Sequence, residues 1–67
     1  MIFKGDSVQF LGSWTQEQIQ WAETCAPTSL TVNAIYIAET IEVKPWATRI
    51  KLVGIDGVFN STHFRVV

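Results

Sequence analysis

The sequence predicts a mainly all-β domain, a small five-stranded antiparallel barrel, on three observations. Apolar and polar residues alternate in several short runs, the dipeptide Asp56-Gly57 marks a tight hairpin, and the one segment of helical composition sits inside a long connection. Sixty-seven residues make one domain, 1–67, near the lower size limit for a chain that folds alone. Ordering it costs roughly 1.5 kcal/mol per residue, so roughly 100 kcal/mol must be offset by apolar burial and packing. The hydrophobic share of 48% and the three tryptophans supply that burial and argue against disorder.

Val8 and Phe10 alternate with Ser7 and Gln9, which predicts a short first strand ending near Leu11 and Gly12. A long excursion, residues 12–34, follows. Within it Thr15–Thr24 holds helix formers without Gly or Pro, and Ser13 or Thr15 can cap it, each with a Gln three residues on. Ile19 and Ala22 would form its buried stripe, and Pro27 ends the segment. Asn33 suits a left-handed corner before the clearest strand. In that strand Ile35, Ile37, Ile41 and Val43 share one parity and are expected to face inward. Pro45 cannot donate to a ladder, so Lys44-Pro45-Trp46-Ala47 becomes a connection. Thr48–Ile55 resumes as a strand with Ile50 and Leu52 inward, and Asp56-Gly57 is expected to turn it into a strand that starts at Val58. Asn60-Ser61-Thr62-His63 reads as a single helical turn before a last strand, Phe64–Val67.

Strand, long excursion, two long strands, hairpin, short strand, one turn, final strand is the order of an SH3-like barrel, whose near-closure protects its edges. The expected core is Phe3, Val8, Phe10, Ile35, Ile37, Ile41, Ile50, Leu52, Phe59, Phe64 and Val66. An OB-like barrel is the alternative, but it wants more residues and a longer first hairpin.

Charge and cysteine content narrow the function. Five basic residues against six acidic ones leave no electrostatic footprint for nucleic acid. With Cys25 as the sole cysteine, neither an intrachain disulfide nor a thiolate metal cluster can form, and no cofactor motif is present. Met1–Asp6 contains no apolar stretch of signal-peptide length, and no run approaches the roughly 20 apolar residues that span a bilayer. The expected setting is a reducing cytoplasm, with no membrane partner. Asn60-Ser61-Thr62 matches a glycosylation sequon, which carries little without a secretory signal.

Four motifs, Lys4-Gly5-Asp6-Ser7-Val8, Leu30-Thr31-Val32-Asn33-Ala34-Ile35-Tyr36, Trp46-Ala47-Thr48 and Gly57-Val58-Phe59-Asn60-Ser61-Thr62-His63-Phe64, span most of the chain. In them it resembles a group of small proteins encoded by phages and prophages. The resemblance implies a barrel and a phage context without assigning an activity. The chain departs from the group at Asn33, where members often carry Gly, and at Pro45 and Ala47, where members carry histidines beside the tryptophan.

No enzyme is expected, because one His and one Cys, with no familiar nucleophile or phosphate-loop motif, offer little to assemble. A Cys25–His63 pair is conceivable, against a plainer reading of Cys25 as half-buried and His63 as a solvated turn residue. Trp46, Thr48, Asn60 and Ser61 combine an aromatic face with hydroxyl and amide groups, a set suited to a flat ligand, with Arg49 or Lys51 available to a phosphate. The plainer alternative has Asn60 and Ser61 satisfying the backbone of the helical turn. Trp14 and Trp21 stand seven apart, two helical turns, and with Trp46 could anchor a partner; the alternative folds them over the core. The leading expectation is a phage accessory protein that binds and blocks a host or phage protein through Trp14, Trp21 and Trp46, possible also as a homo-oligomer. The second is a binder that sequesters a nucleotide-like signal through Trp46, Thr48, Arg49, Asn60 and Ser61. Single-stranded nucleic acid is a weaker third, for want of cations.

Overall fold

A computed structural model describes all residues, 1–67. The strands are β1 (Ser7–Phe10), β2 (Ile35–Val43), β3 (Thr48–Leu52), β4 (Ile55–Asn60) and β5 (Phe64–Val66). They form one antiparallel sheet in the order β4-β3-β2-β1-β5, with helix α1 (Gln16–Ala22) in the first connection and a 3₁₀ turn (Ser61–His63) before β5. This is the small five-stranded SH3-like barrel with a helix in its long first loop. No helix is long and apolar enough to cross a membrane.

The nine residues of β2 serve both halves of the sheet: Ile35–Ile37 pair with β1, and Ala38–Val43 pair with β3. Between them the ladder steps from Ala38–Leu52 to Thr40–Lys51, leaving Glu39 as an extra residue. One inserted residue reverses which face each later side chain takes. Tyr36 and Ala38 therefore point inward before the bulge and Ile41 after it, while Ile35, at 60% exposure, and Ile37 face out. The uniform parity expected for Ile35, Ile37, Ile41 and Val43 fails for this reason, and Val43 is exposed at the strand end.

The hairpin after β3 turns at Val53-Gly54, not at Asp56-Gly57. Gly54, at φ 78°, supplies the left-handed residue, and Leu52 pairs with Ile55. Asp56-Gly57 lies inside β4, where the three residues Asp56–Val58 stand opposite the single Lys51. Gly57 adopts φ 107°, and a Cβ there would meet the Cys25 Sγ at 3.3 Å, so the left-handed signal serves a bulge under the excursion.

The core is Val8, Phe10, Leu30, Ala38, Ile50, Leu52, Phe59 and Phe64. Phe64 sits between Phe10 and Phe59, with ring centroids 5.8 Å and 6.4 Å apart in tilted and edge-on arrangements, each favourable by about 0.5–1.5 kcal/mol beyond area burial. Phe3 and Val66, expected in the core, are exposed. The turn at Gly5 (φ 89°), closed by the Asp6 N–H donating to the Phe3 carbonyl, brings Ile2 rather than Phe3 against the core. Val66 shares a register with Val8 but lies on the edge strand of the sheet, with only β1 beside it.

The excursion is anchored at several points. Thr15 caps α1 in a capping box with Gln18, Ile19 and Ala22 are buried, and the helix stops at Glu23 in the left-handed region, four residues before Pro27. The Cys25 N–H donates to the Val58 carbonyl at 2.7 Å, covering part of the β4 edge. Asn33, at φ 68°, makes the return corner, with its N–H on the Phe10 carbonyl at 2.8 Å.

Candidate functional site

The packing of α1 on β4 opens a groove of about 580 Å³ between the helix, the β2–β3 connection and the 3₁₀ turn. Trp21 and Trp46 provide its aromatic surface, 66% and 47% exposed, and Thr15, Gln18, Thr48, Asn60 and Thr62 provide polar lining. Glu17 is the one charged residue among its lining.

A single contact sets the relation of the indoles. The Trp21 Nε1–H donates to the Trp46 carbonyl at 2.7 Å, tying the last turn of α1 to the β2–β3 connection. The polar tip of Trp21 is thereby used, and its ring remains as an apolar surface. An indole already held by a backbone contact, as that of Trp21 is, loses little further entropy when a partner covers it.

Beneath them Asn60 is buried and its amide is engaged at both ends. Its Oδ1 accepts from the Thr62 N–H at 3.0 Å and the Thr62 hydroxyl at 2.9 Å, capping the 3₁₀ turn. Its Nδ2 donates to the Gln18 carbonyl at 3.2 Å, so this side chain joins the turn to α1. Asn60 thus caps the 3₁₀ turn, the role sequence reasoning gave as its plainer alternative, and also forms part of the groove lining.

The remaining candidates divide. Trp14 is half-buried and packs against the core. The two-turn spacing to Trp21 does not put them on one face, because α1 begins at Gln16 and Trp14 precedes its cap. Thr48 lines the groove beside Trp46, whereas Ser61, half-buried in the 3₁₀ turn, is not among the lining residues. Arg49 lies elsewhere, ion-paired with Glu42 and donating to the Glu23 carbonyl at 3.4 Å, and with Lys51 it lines a separate cleft on the sheet. No basic side chain therefore lines the groove that holds the indoles.

Cys25 is exposed against the Gly57 bulge, contrary to its expected half-burial. His63 is fully buried rather than solvated, and neither ring nitrogen meets a partner, Cys25 included. Desolvation holds its imidazole below the ordinary value of 6.5. The sequence signals missed Thr15, Gln18 and Thr62 as groove residues. The capping-box spacing offered Ser13 or Thr15 as the helix start, of which the structure uses Thr15, but nothing local in the sequence tells which strand a seven-residue helix will cover.

No protein-family model matches the chain, and comparisons with curated proteins and with solved structures find no match.

Proposed function

We propose that this chain is a non-enzymatic binding protein that captures a partner protein in the groove between α1 and the β2–β3 connection, with Trp21 and Trp46 as anchors. In the phage or prophage setting that its sequence resemblance implies, the partner is a host factor, and capture blocks it. The observation that carries the reading is the pair of exposed indoles linked by the Trp21–Trp46 hydrogen bond at one groove. Large rigid aromatics at the centre of a concave surface are the residues that dominate protein–protein binding energy. Trp14, packed on the core, takes no part in this version.

The reading is tested by co-purification of the tagged chain with host proteins, followed by mass measurement of the intact assembly. The Trp21→Ala/Trp46→Ala double variant, folded as judged by its circular dichroism and melting curve, loses the partner. Retention of the same partner by the folded double variant rejects the proposal. Sequestration of a nucleotide-like ligand is the second reading, favoured by a groove volume within the small-molecule range and opposed by the place of Arg49 outside the groove and by the prior engagement of the Asn60 amide with Gln18 and Thr62. A nucleotide at a hundred times its dissociation constant would add about 2.7 kcal/mol of stability, and a thermal-shift screen detects that.

A further inference from the structure

Before the bulge at Glu39, one row of side chains turns outward across four neighbouring strands. Ser7 on β1 pairs with Ile37 on β2. The row continues to Val67, just past β5, whose N–H donates to the Ser7 carbonyl, and to Val53, just past β3, whose N–H donates to the Ile37 carbonyl. One residue along the strands Val8, Ala38 and Leu52 are buried, so Val67, Ser7, Ile37 and Val53 take the opposite face of the sheet. The next outward row has Gln9 beside Ile35, with Arg65 on the far side of Gln9.

Ile35, Ile37, Val53 and Val67 are all exposed, four aliphatic side chains gathered on one face of a chain whose core holds only eight residues. Arg65 is the only charged side chain of the two rows. Gln9 is satisfied within the chain: its Nε2 donates to the Asn33 carbonyl at 3.1 Å and its Oε1 accepts from the Arg65 Nε at 2.8 Å. Its polar atoms can therefore be covered without losing a partner.

The pattern matches itself under a twofold axis. With the axis running along the strands midway between β1 and β2, β1 of each copy faces β2 of the other at the same level, because Ser7 and Ile37, and Gln9 and Ile35, are cross-strand pairs. Ile37 of one copy then lies over the small Ser7 of the other, Ile35 over the stem of Gln9, and Val53 over Val67, each contact occurring twice. At a strand spacing of about 4.8 Å, the two Arg65 positions fall on opposite margins, about 14 Å apart. Large side chains meet small ones, and like charges do not meet.

We infer that this face joins two copies of the chain, sheet on sheet, in an isologous dimer. The molecule measures 24 × 22 Å across, so one face offers about 500 Å² and a dimer buries about 1,000 Å², the lower end for a specific interface. Its dissociation constant is accordingly micromolar or weaker. No residue of these rows lines the tryptophan groove, so the dimer is separate from the capture proposed there.

Sedimentation equilibrium of the intact chain from about 10 µM to about 1 mM, the range that suits so small an interface, should show monomer and dimer in exchange. Ile37→Lys and Ser7→Asp, each setting an unpaired charge in the contact, should each weaken the dimer at least about tenfold. An equimolar mixture of these two variants should recover association, because the new acid of one copy meets the new base of the other. Val67→Lys and Val53→Asp repeat the test at exposed positions, should either of the first pair fail to fold. A chain that stays monomeric over the whole range overturns the dimer. A dimer indifferent to Ile37→Lys and Val67→Lys overturns the face assigned to it, as does one lost in Trp21→Ala/Trp46→Ala instead. Failure of both mixtures to recover association overturns the twofold registration.

Discussion

Replacing Asn60 by Ala removes three hydrogen bonds from one buried position: two that cap the 3₁₀ turn through Thr62 and one that holds the Gln18 carbonyl of α1. At about 1 kcal/mol net for each, and with loss of a cap alone costing about 0.5–2 kcal/mol, the expected destabilisation is about 2–3 kcal/mol. A domain of this size has a total stability of about 3–10 kcal/mol, so the variant loses from about a fifth to all of it. With a urea m-value of about 1 kcal/mol/M for a small protein, the midpoint falls by about 2–3 M. Tryptophan fluorescence follows this transition, because Trp14 is packed against the core. Asn60→Asp separates the two roles: it keeps an oxygen for Thr62 and sets an oxygen against the Gln18 carbonyl. It should therefore be destabilised as well, with α1 affected more than the 3₁₀ turn in hydrogen exchange. A midpoint shift below about 1 M for Asn60→Ala, or wild-type stability for Asn60→Asp, would refute the view that this amide fastens the helix to the barrel.

Two further predictions concern the core and the sheet. His63 is buried with a lowered pKa, so the unfolded chain binds its proton more readily than the folded one. Stability should be full above pH 6.5, fall as the pH drops below 6.5, and level off below the folded value. His63→Leu, which removes two unpartnered ring nitrogens, should flatten urea midpoints between about pH 6.5 and pH 5, above the range where carboxylates titrate; an unchanged slope would sink this account. On β2, Ile37→Lys should change stability by no more than about 0.5 kcal/mol, as surface substitutions do, whereas Ala38→Lys should prevent folding by burying an unpaired charge. Equal effects of the two, measured by urea denaturation, would contradict the inward face described for β2.

How much of this was legible in the sequence depended on whether the signal was local. The capping spacing narrowed the start of α1 to Ser13 or Thr15, of which the structure uses Thr15, the tolerance of Asn33 for left-handed backbone placed the return corner, and the strand order followed from where alternation started and stopped. The inward face of β3 was legible too, because Ile50 and Leu52 keep a simple two-residue period. Alternation could not reveal the bulge at Glu39, because an extra residue is recognised only against the strand it pairs with. The same holds for Asp56-Gly57: both candidate turns contain a glycine, and only the φ of 107° and the close approach of Cys25 show why Gly57 is needed in the bulge.

The site obeys the same division. Trp46 and Thr48 are neighbours in sequence and were readable as a pair, but Trp21 reaches them through long-range fastening of α1, which includes the Gln18 carbonyl on Asn60, 42 residues away. A groove made by a helix laid over a sheet is a product of long-range fastening, so its aromatic content is visible in composition while its shape is not. That makes the fastening residue the sharper probe of function. Asn60→Asp keeps both indoles and should still weaken a partner that needs them on one surface. Trp21→Phe keeps a smaller ring and loses the hydrogen bond to the Trp46 carbonyl together with part of the apolar surface. If the indoles must share one surface, Asn60→Asp impairs binding beyond what its stability explains; if each acts alone, it does not.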